Sequence, residues 1–137
     1  PLSELFSADY LFRVSRGRRI AVKPFIMDAK VVVGVGNIYA SEALFRAGIS
    51  PVRQAGRVSR NACARLARSV REVLVEAIDA GGTTIRDFMD NEGRPGYFKQ
   101  KLRVYGRAGE HCTACGSVIK QARLGQRSTF YCAKCQK

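Results

Sequence analysis

Four cysteines carry the clearest chemistry in this chain. Two residues separate Cys112 from Cys115 and two separate Cys132 from Cys135, and sixteen residues lie between the pairs. Each C-x-x-C pair closes a tight turn, and two such turns at this separation meet on one tetrahedral ion, the spacing of a structural four-thiolate zinc site. Two disulfides in a secreted domain are the competing reading. A fifth cysteine, Cys63, and the lack of any signal-peptide pattern weigh against it. Between the pairs lie Arg123, Gln126 and Arg127, next to the strand-like run Ser128–Tyr131. A metal-pinned hairpin holding arginines is a rigid finger able to press cations against phosphate. His111 adjoins the first cysteine, and with four thiolates present it is expected to be an exposed neighbour and not a ligand.

Charge points to the partner. Lys and Arg total 24 against 11 acids, a net charge of +13, and 17 of the cations are arginine, whose planar guanidinium forks onto phosphate and stacks on bases. Such an excess attracts a polyanion by releasing its counterions. A solubilising surface would keep the net charge lower. A membrane partner is disfavoured because the cations are spread over the whole length and no apolar run nears the ~20 residues of a membrane span. Nucleic acid fits best. Free thiols for metal imply the reducing cytoplasm, and the length of 137 residues suffices for one ordinary core and a small appendage.

The elements that must position these groups read as mainly helical. Residues 1–6 are a linker. Ser7 caps a short helix to about Arg16, ended by Gly17, and Pro24 suits the first turn of a second running to about Lys30. Val31–Gly36 is ambiguous between a buried strand and a glycine turn. Asn37 follows as a strong helix N-cap, and Ile38, Ala40, Ala43, Leu44 and Phe45 form one buried face before Gly48 and Pro51 stop that helix. Ser59 caps the longest helix, about 60–80. Its apolar stripe is Leu66, Val70, Val73, Leu74, Ala77 and Ile78; Arg60, Arg65, Arg68 and Arg71 form a solvated face. Residues 83–110 lack helical periodicity, apart from one short strand expected at Leu102–Tyr105. Cys63 is expected to be a small core or surface residue.

Gly34-Val-Gly36 before a helix invites a dinucleotide-binding reading, which fails because Tyr39 occupies the third glycine position and no acid stands about 20 residues on. What remains is a glycine turn that feeds a helix start and offers backbone N–H groups to a phosphate. No paired-carboxylate, Ser–His–Asp or Cys–His constellation is present, so the residues do not compose a complete active site.

The stretches Lys23–Asp28, Val32–Glu42, Gly81–Thr84, Gly96–Phe98, Val104–Gly106 and Gln126–Cys132 together closely resemble the bacterial formamidopyrimidine-DNA glycosylase family, over the whole chain. The resemblance implies a mainly α fold: a helix–two-turns–helix DNA-binding domain at 7–110, with a lesion-capping loop at about 84–97, then a four-cysteine zinc-finger β-hairpin at 111–137. Members of that family are bifunctional base-excision-repair enzymes. They flip an oxidised purine (8-oxoguanine or a formamidopyrimidine) out of duplex DNA, cut its glycosidic bond and nick the strand by β,δ-elimination. The sequence looks like the second half of such an enzyme. Its nucleophile is an N-terminal proline followed by glutamate; Pro1 is followed by Leu2 and matches the interdomain linker, so that role is not carried over. The N-terminal β-sandwich domain would supply the nucleophile, the general-acid glutamate and the β-elimination lysine. The chain is thus expected to bind DNA without catalysing alone.

By the same resemblance, Asn37, Lys23, Arg18 and Tyr39 bind phosphates near the lesion. Arg127 grips the lesion phosphates and donates the proton for δ-elimination. The implied partners are double-stranded DNA bearing an oxidised base or abasic site and the β-sandwich domain; the implied cofactor is one structural Zn2+. A monomer in the bacterial cytoplasm, nucleoid-associated and without membrane contact, is expected. Two alternatives stay open: an oxidised-pyrimidine glycosylase of the endonuclease VIII type, and a stand-alone zinc-ribbon DNA-binding module.

Overall fold

The computed structural model describes residues 7–28, 30–31, 35–79 and 102–137, without the side chains of 77–79. Four α-helices precede a two-stranded hairpin: α1 Ala8–Ser15, α2 Val22–Met27, α3 Asn37–Ala47, a 3-10 turn at Ala55–Arg57, α4 Arg60–Asp79, β1 Lys120–Leu124 and β2 Arg127–Tyr131. Ser7 caps α1 by accepting from the Tyr10 amide, and Ser59 caps α4 by accepting from the Ala62 amide at 3.1 Å, as their short hydroxyl side chains favour. The expected second helix is shorter than read: it ends at Met27, with Asp28 extended. The glycine turn at 32–34, the helix close at 80–82 and the loop at 84–97 lie outside the described residues. None of the helices described is long and apolar enough to cross a membrane.

Helix α3 is the centre of the fold. Nine of its eleven residues are buried, so it is packed on nearly all sides and not along a single stripe. It lies against α4 and α2, and Leu44, Ile38, Ala40 and Ala43 join Leu66, Val70 and Val73 of α4 with Phe25 and Ile26 of α2 in one core. Cys63 is part of that core. Gly48 ends α3 in the left-handed conformation, φ 73°, its N–H bonded to the Leu44 and Phe45 carbonyls, a conformation that costs a residue with a Cβ about 1–2 kcal/mol. A second glycine is fixed by space: a Cβ on Gly56 would stand 2.8 Å from the Arg18 carbonyl oxygen.

The finger has its own small core of Val104, Ile119, Phe130, Cys112 and Cys132, into which α3 inserts Phe45. Tyr105 packs edge-on against Phe130, ring centroids 4.9 Å apart. The strands pair antiparallel with Leu124 opposite Arg127 and Lys120 opposite Tyr131. Gln136 locks the finger to the end of α3: its side-chain N–H donates to the Ile49 carbonyl at 3.0 Å while its Oε1 accepts from the Cys132 amide at 2.8 Å.

The strand expected at Leu102–Tyr105 is a turn. The N–H groups of Arg103, Val104 and Tyr105 donate to the buried Glu42 carboxylate at 2.8, 2.9 and 2.8 Å, so they have no need of a neighbouring strand. Glu42 is 1% exposed, and this triple acceptor role answers the desolvation of its charge.

Candidate nucleic-acid interface and metal centre

Local sequence brings three elements to one point. Lys23 projects from α2 and is 1% exposed. Its Nζ donates to Thr129 Oγ1 at 2.9 Å and to the Ser128 carbonyl at 3.4 Å, both on β2, and to Asn37 Oδ1 at the start of α3. Asn37 Nδ2 donates to the same Ser128 carbonyl at 3.0 Å. Asn37 is therefore not the N-cap that its type suggested. Gly36 holds that position, and the amide side chain instead ties the helix start to the hairpin. The exchange leaves the first backbone N–H groups of α3 without a side-chain cap, available to an anion.

Arg127, exposed at the beginning of β2, stands near enough to perturb Lys23. Burial, and secondarily the Arg127 charge, pull the Lys23 ammonium from its ordinary 10.5 down to about 8. Two cations are thus held beside each other with no acid bonded to either among the described residues, an arrangement that a phosphate would relieve. Alongside them a cavity of about 330 Å³ runs between α2 and the hairpin tip, lined by Lys23, Met27, Leu124, Gln126, Arg127 and one acid, Asp28, among others.

Arg18 and Tyr39 are the other sequence candidates. Arg18 is exposed, with its guanidinium 5.2 Å from the Phe25 ring centroid. Tyr39 is 5% exposed and belongs to the helical core. Thr129, fully buried, and the Ser128 carbonyl were not singled out from sequence. Their signal was the period-2 alternation of β2, which sends Phe130 into the finger core and Thr129 toward α2.

The metal centre is compact. The Sγ atoms of Cys112, Cys115, Cys132 and Cys135 all lie within 4.8 Å of one another, with Cys115–Cys132 at 3.4 Å and Cys112–Cys135 at 3.8 Å. Zn–S bonds of about 2.3 Å in a tetrahedron separate sulfurs by about 3.8 Å, whereas a disulfide needs about 2 Å. All five cysteines are free. Hydrogen bonds from Ser117 hold the Cys115 thiol down at about 6, while burial and its thiol neighbours push Cys135 up to about 12. A bound dication removes that conflict by stabilising every thiolate. The four cysteines fit one structural zinc ion. His111 is exposed, its Nδ1 2.9 Å from the Gly116 carbonyl, and is not among the clustered ligands.

Comparison with known proteins agrees with this geometry. Residues 1–89 match the formamidopyrimidine-DNA glycosylase H2TH domain, and residues 109–137 match the zinc finger found in FPG and IleRS. The formamidopyrimidine-DNA glycosylase of Alkalilimnicola ehrlichii is 63% identical over all of this chain and 50% of its own length; that of Stutzerimonas stutzeri is 59% identical over all of this chain and 51% of its own. The chain thus spans about half the length of the curated relatives it matches. The crystal structure of MutM (Fpg) from Thermus thermophilus superposes with a TM-score of 0.87 at 40% identity, covering 99% of this chain and 52% of that one. Lactococcus lactis Fpg in complex with abasic-site DNA gives 0.84 at 31% identity, over 96% and 48%. The chain belongs to the family of the formamidopyrimidine-DNA glycosylase H2TH domain, followed here by a zinc finger of the type found in FPG and IleRS.

Proposed function

We propose that this chain is the DNA-binding half of a bifunctional base-excision-repair glycosylase and AP lyase that removes oxidised purines. The observation that carries the reading is the convergence of Lys23, Asn37 and the hairpin backbone at Ser128, which sets Arg127 beside the open start of α3. In this reading a phosphate of the damaged strand bonds the first N–H groups of α3 and Lys23, and Arg127 takes the same or the next phosphate. Extruding a nucleotide costs a few kcal/mol of stacking and pairing, and clamps on rigid elements offset that by holding the duplex bent. Arg18 and Tyr39 add backbone contacts, and Arg127 is the proton donor of the second elimination. Residues 1–6 act as linker, 7–110 as the helix–two-turns–helix domain with 84–97 closing over the flipped base, and 111–137 as the finger. The nucleophile comes from an N-terminal β-sandwich domain, and the protein works as a monomer in the bacterial cytoplasm, associated with the nucleoid. Support comes from relatives solved with DNA carrying an abasic site or Fapy-dG.

Fluorescence anisotropy with a duplex carrying a tetrahydrofuran abasic analogue tests the reading. Asn37→Ala and Arg127→Ala together should weaken binding by at least tenfold; affinity unchanged in that double variant refutes it. Release of thymine glycol but not 8-oxoguanine by the full-length enzyme would transfer the chain to the endonuclease VIII type.

A further inference from the structure

A second cationic hollow lies at the far end of α3 from the Asn37 site. It is a cavity of about 240 Å³ between the end of α3, the 3-10 turn and the start of α4. Arg53, Arg57, Arg65 and Lys137 line it, Ile49 and Val58 form part of its floor, and none of its lining side chains is acidic; the one negative group at its rim is the α-carboxylate of Lys137, the last residue of the sequence. Arg65 Nε is anchored on the Ala47 carbonyl at 3.0 Å and Arg53 Nε on the terminal carboxyl oxygen of Lys137 at 2.9 Å, which leaves Arg57 and Arg65 as the arginines of the hollow without an anionic partner among the described residues. Those bonds fix the direction of both guanidiniums; Arg53 spends a further N–H on the Arg57 carbonyl at 3.5 Å, and Arg65 keeps its outer N–H groups for another acceptor. Arg57 is exposed and pairs with no carboxylate among the described residues. The Ser59–Ala62 turn adds the positive end of the twenty-residue helix α4 to the same wall.

Like charges gathered in a concave site repel one another unless an anion occupies it. We propose that this hollow is a second anion site that takes a phosphate group, independent of the lesion-facing cluster. At 1.5 Å per residue, the eleven residues of α3 put it roughly 16 Å from Asn37. That exceeds a Debye length at physiological salt, so the two sites fill without coupling. The cavity is smaller than the roughly 300–1,000 Å³ of pockets that bury organic ligands. It suits a phosphate or pyrophosphate better than a whole nucleotide. The phosphate can belong to a DNA backbone running past the lesion contacts or to a free small anion.

Two arms separate these sources, both on the 137-residue chain loaded with zinc. In the first, pyrophosphate is titrated calorimetrically at physiological ionic strength into wild type, R57Q/R65Q and Asn37→Ala. Affinity reduced tenfold or more in R57Q/R65Q and retained in Asn37→Ala assigns the hollow to a free anion. In the second, duplex affinity is followed against salt. A log–log slope shallower by about two in R57Q/R65Q assigns it to backbone phosphates. R57Q/R65Q indistinguishable from wild type in both arms overturns the proposal, as does pyrophosphate binding lost only in Asn37→Ala. Failure of the lesion-binding reading, seen in the Asn37 and Arg127 variants, leaves both arms readable.

Discussion

Lys23 makes a sharp test of how the interface is built. Its ammonium falls from 10.5 to about 8 in the folded chain. At 1.36 kcal/mol per tenfold, holding the charge below pH 8 therefore costs the fold about 3 kcal/mol. Below pH 8 the lysine is protonated in both folded and unfolded chains, and the full cost is present. Between pH 8 and 10.5 the unfolded chain binds more protons than the folded one, so this group makes stability rise with pH and stop rising above 10.5. Lys23→Met keeps the length of the side chain and removes the titration. The assay is urea unfolding of zinc-loaded wild type and Lys23→Met from pH 7 to 10.5. Subtracting the variant removes the tyrosines and remaining lysines common to both. The difference should grow in favour of wild type by about 3 kcal/mol across that range. Phosphate brought against the ammonium reverses the preference, so DNA binding above pH 8 should take up a proton and weaken as pH rises. Parallel stability profiles for the two proteins would refute the reasoning, because they would mean that Lys23 is as well solvated in the fold as in water.

Glu42→Ala should destabilise the chain by more than about 3 kcal/mol, since three backbone donors lose a charged acceptor in a dry site; Glu42→Gln, which keeps one acceptor oxygen, should fall between, both read by urea unfolding. Gly48→Ala should cost about 1–2 kcal/mol through its φ of 73°, seen as a lower Tm. Removing zinc with a chelator, or Cys132→Ser, should unravel the finger and lower DNA affinity at least tenfold while the helical circular-dichroism signal persists, because the helical core has its own apolar cluster.

The metal centre was legible because its information is local: two C-x-x-C turns state their ligands within 24 residues. Helices α1 and α4 were legible for the same reason, each announced by a hydroxyl cap before an apolar period. Asn37 shows where such reading stops. Its residue type and place favour capping, yet a lysine fourteen residues earlier and a carbonyl ninety-one residues later claim both ends of its amide. The 102–105 segment failed similarly. Alternating apolar residues there fit a strand, and only a carboxylate sixty-one residues upstream decides for a turn. Burial of Tyr39 follows from α3 being enclosed on nearly every side, which a one-face apolar pattern does not reveal.

Helix α3 meets the finger and the turn that leads into it at three heights: Asn37 on the Ser128 carbonyl, Glu42 on the amides of 103–105, and the Gly48–Ile49 end on Lys137 and Gln136. The hairpin is therefore braced along a strut and does not hang from a tether. The backbone span between the hairpin and the helix tip is set when the chain folds. On the proposed reading, an incoming strand would meet a calliper whose opening is fixed by the backbone, and charge steering would set its capture rate.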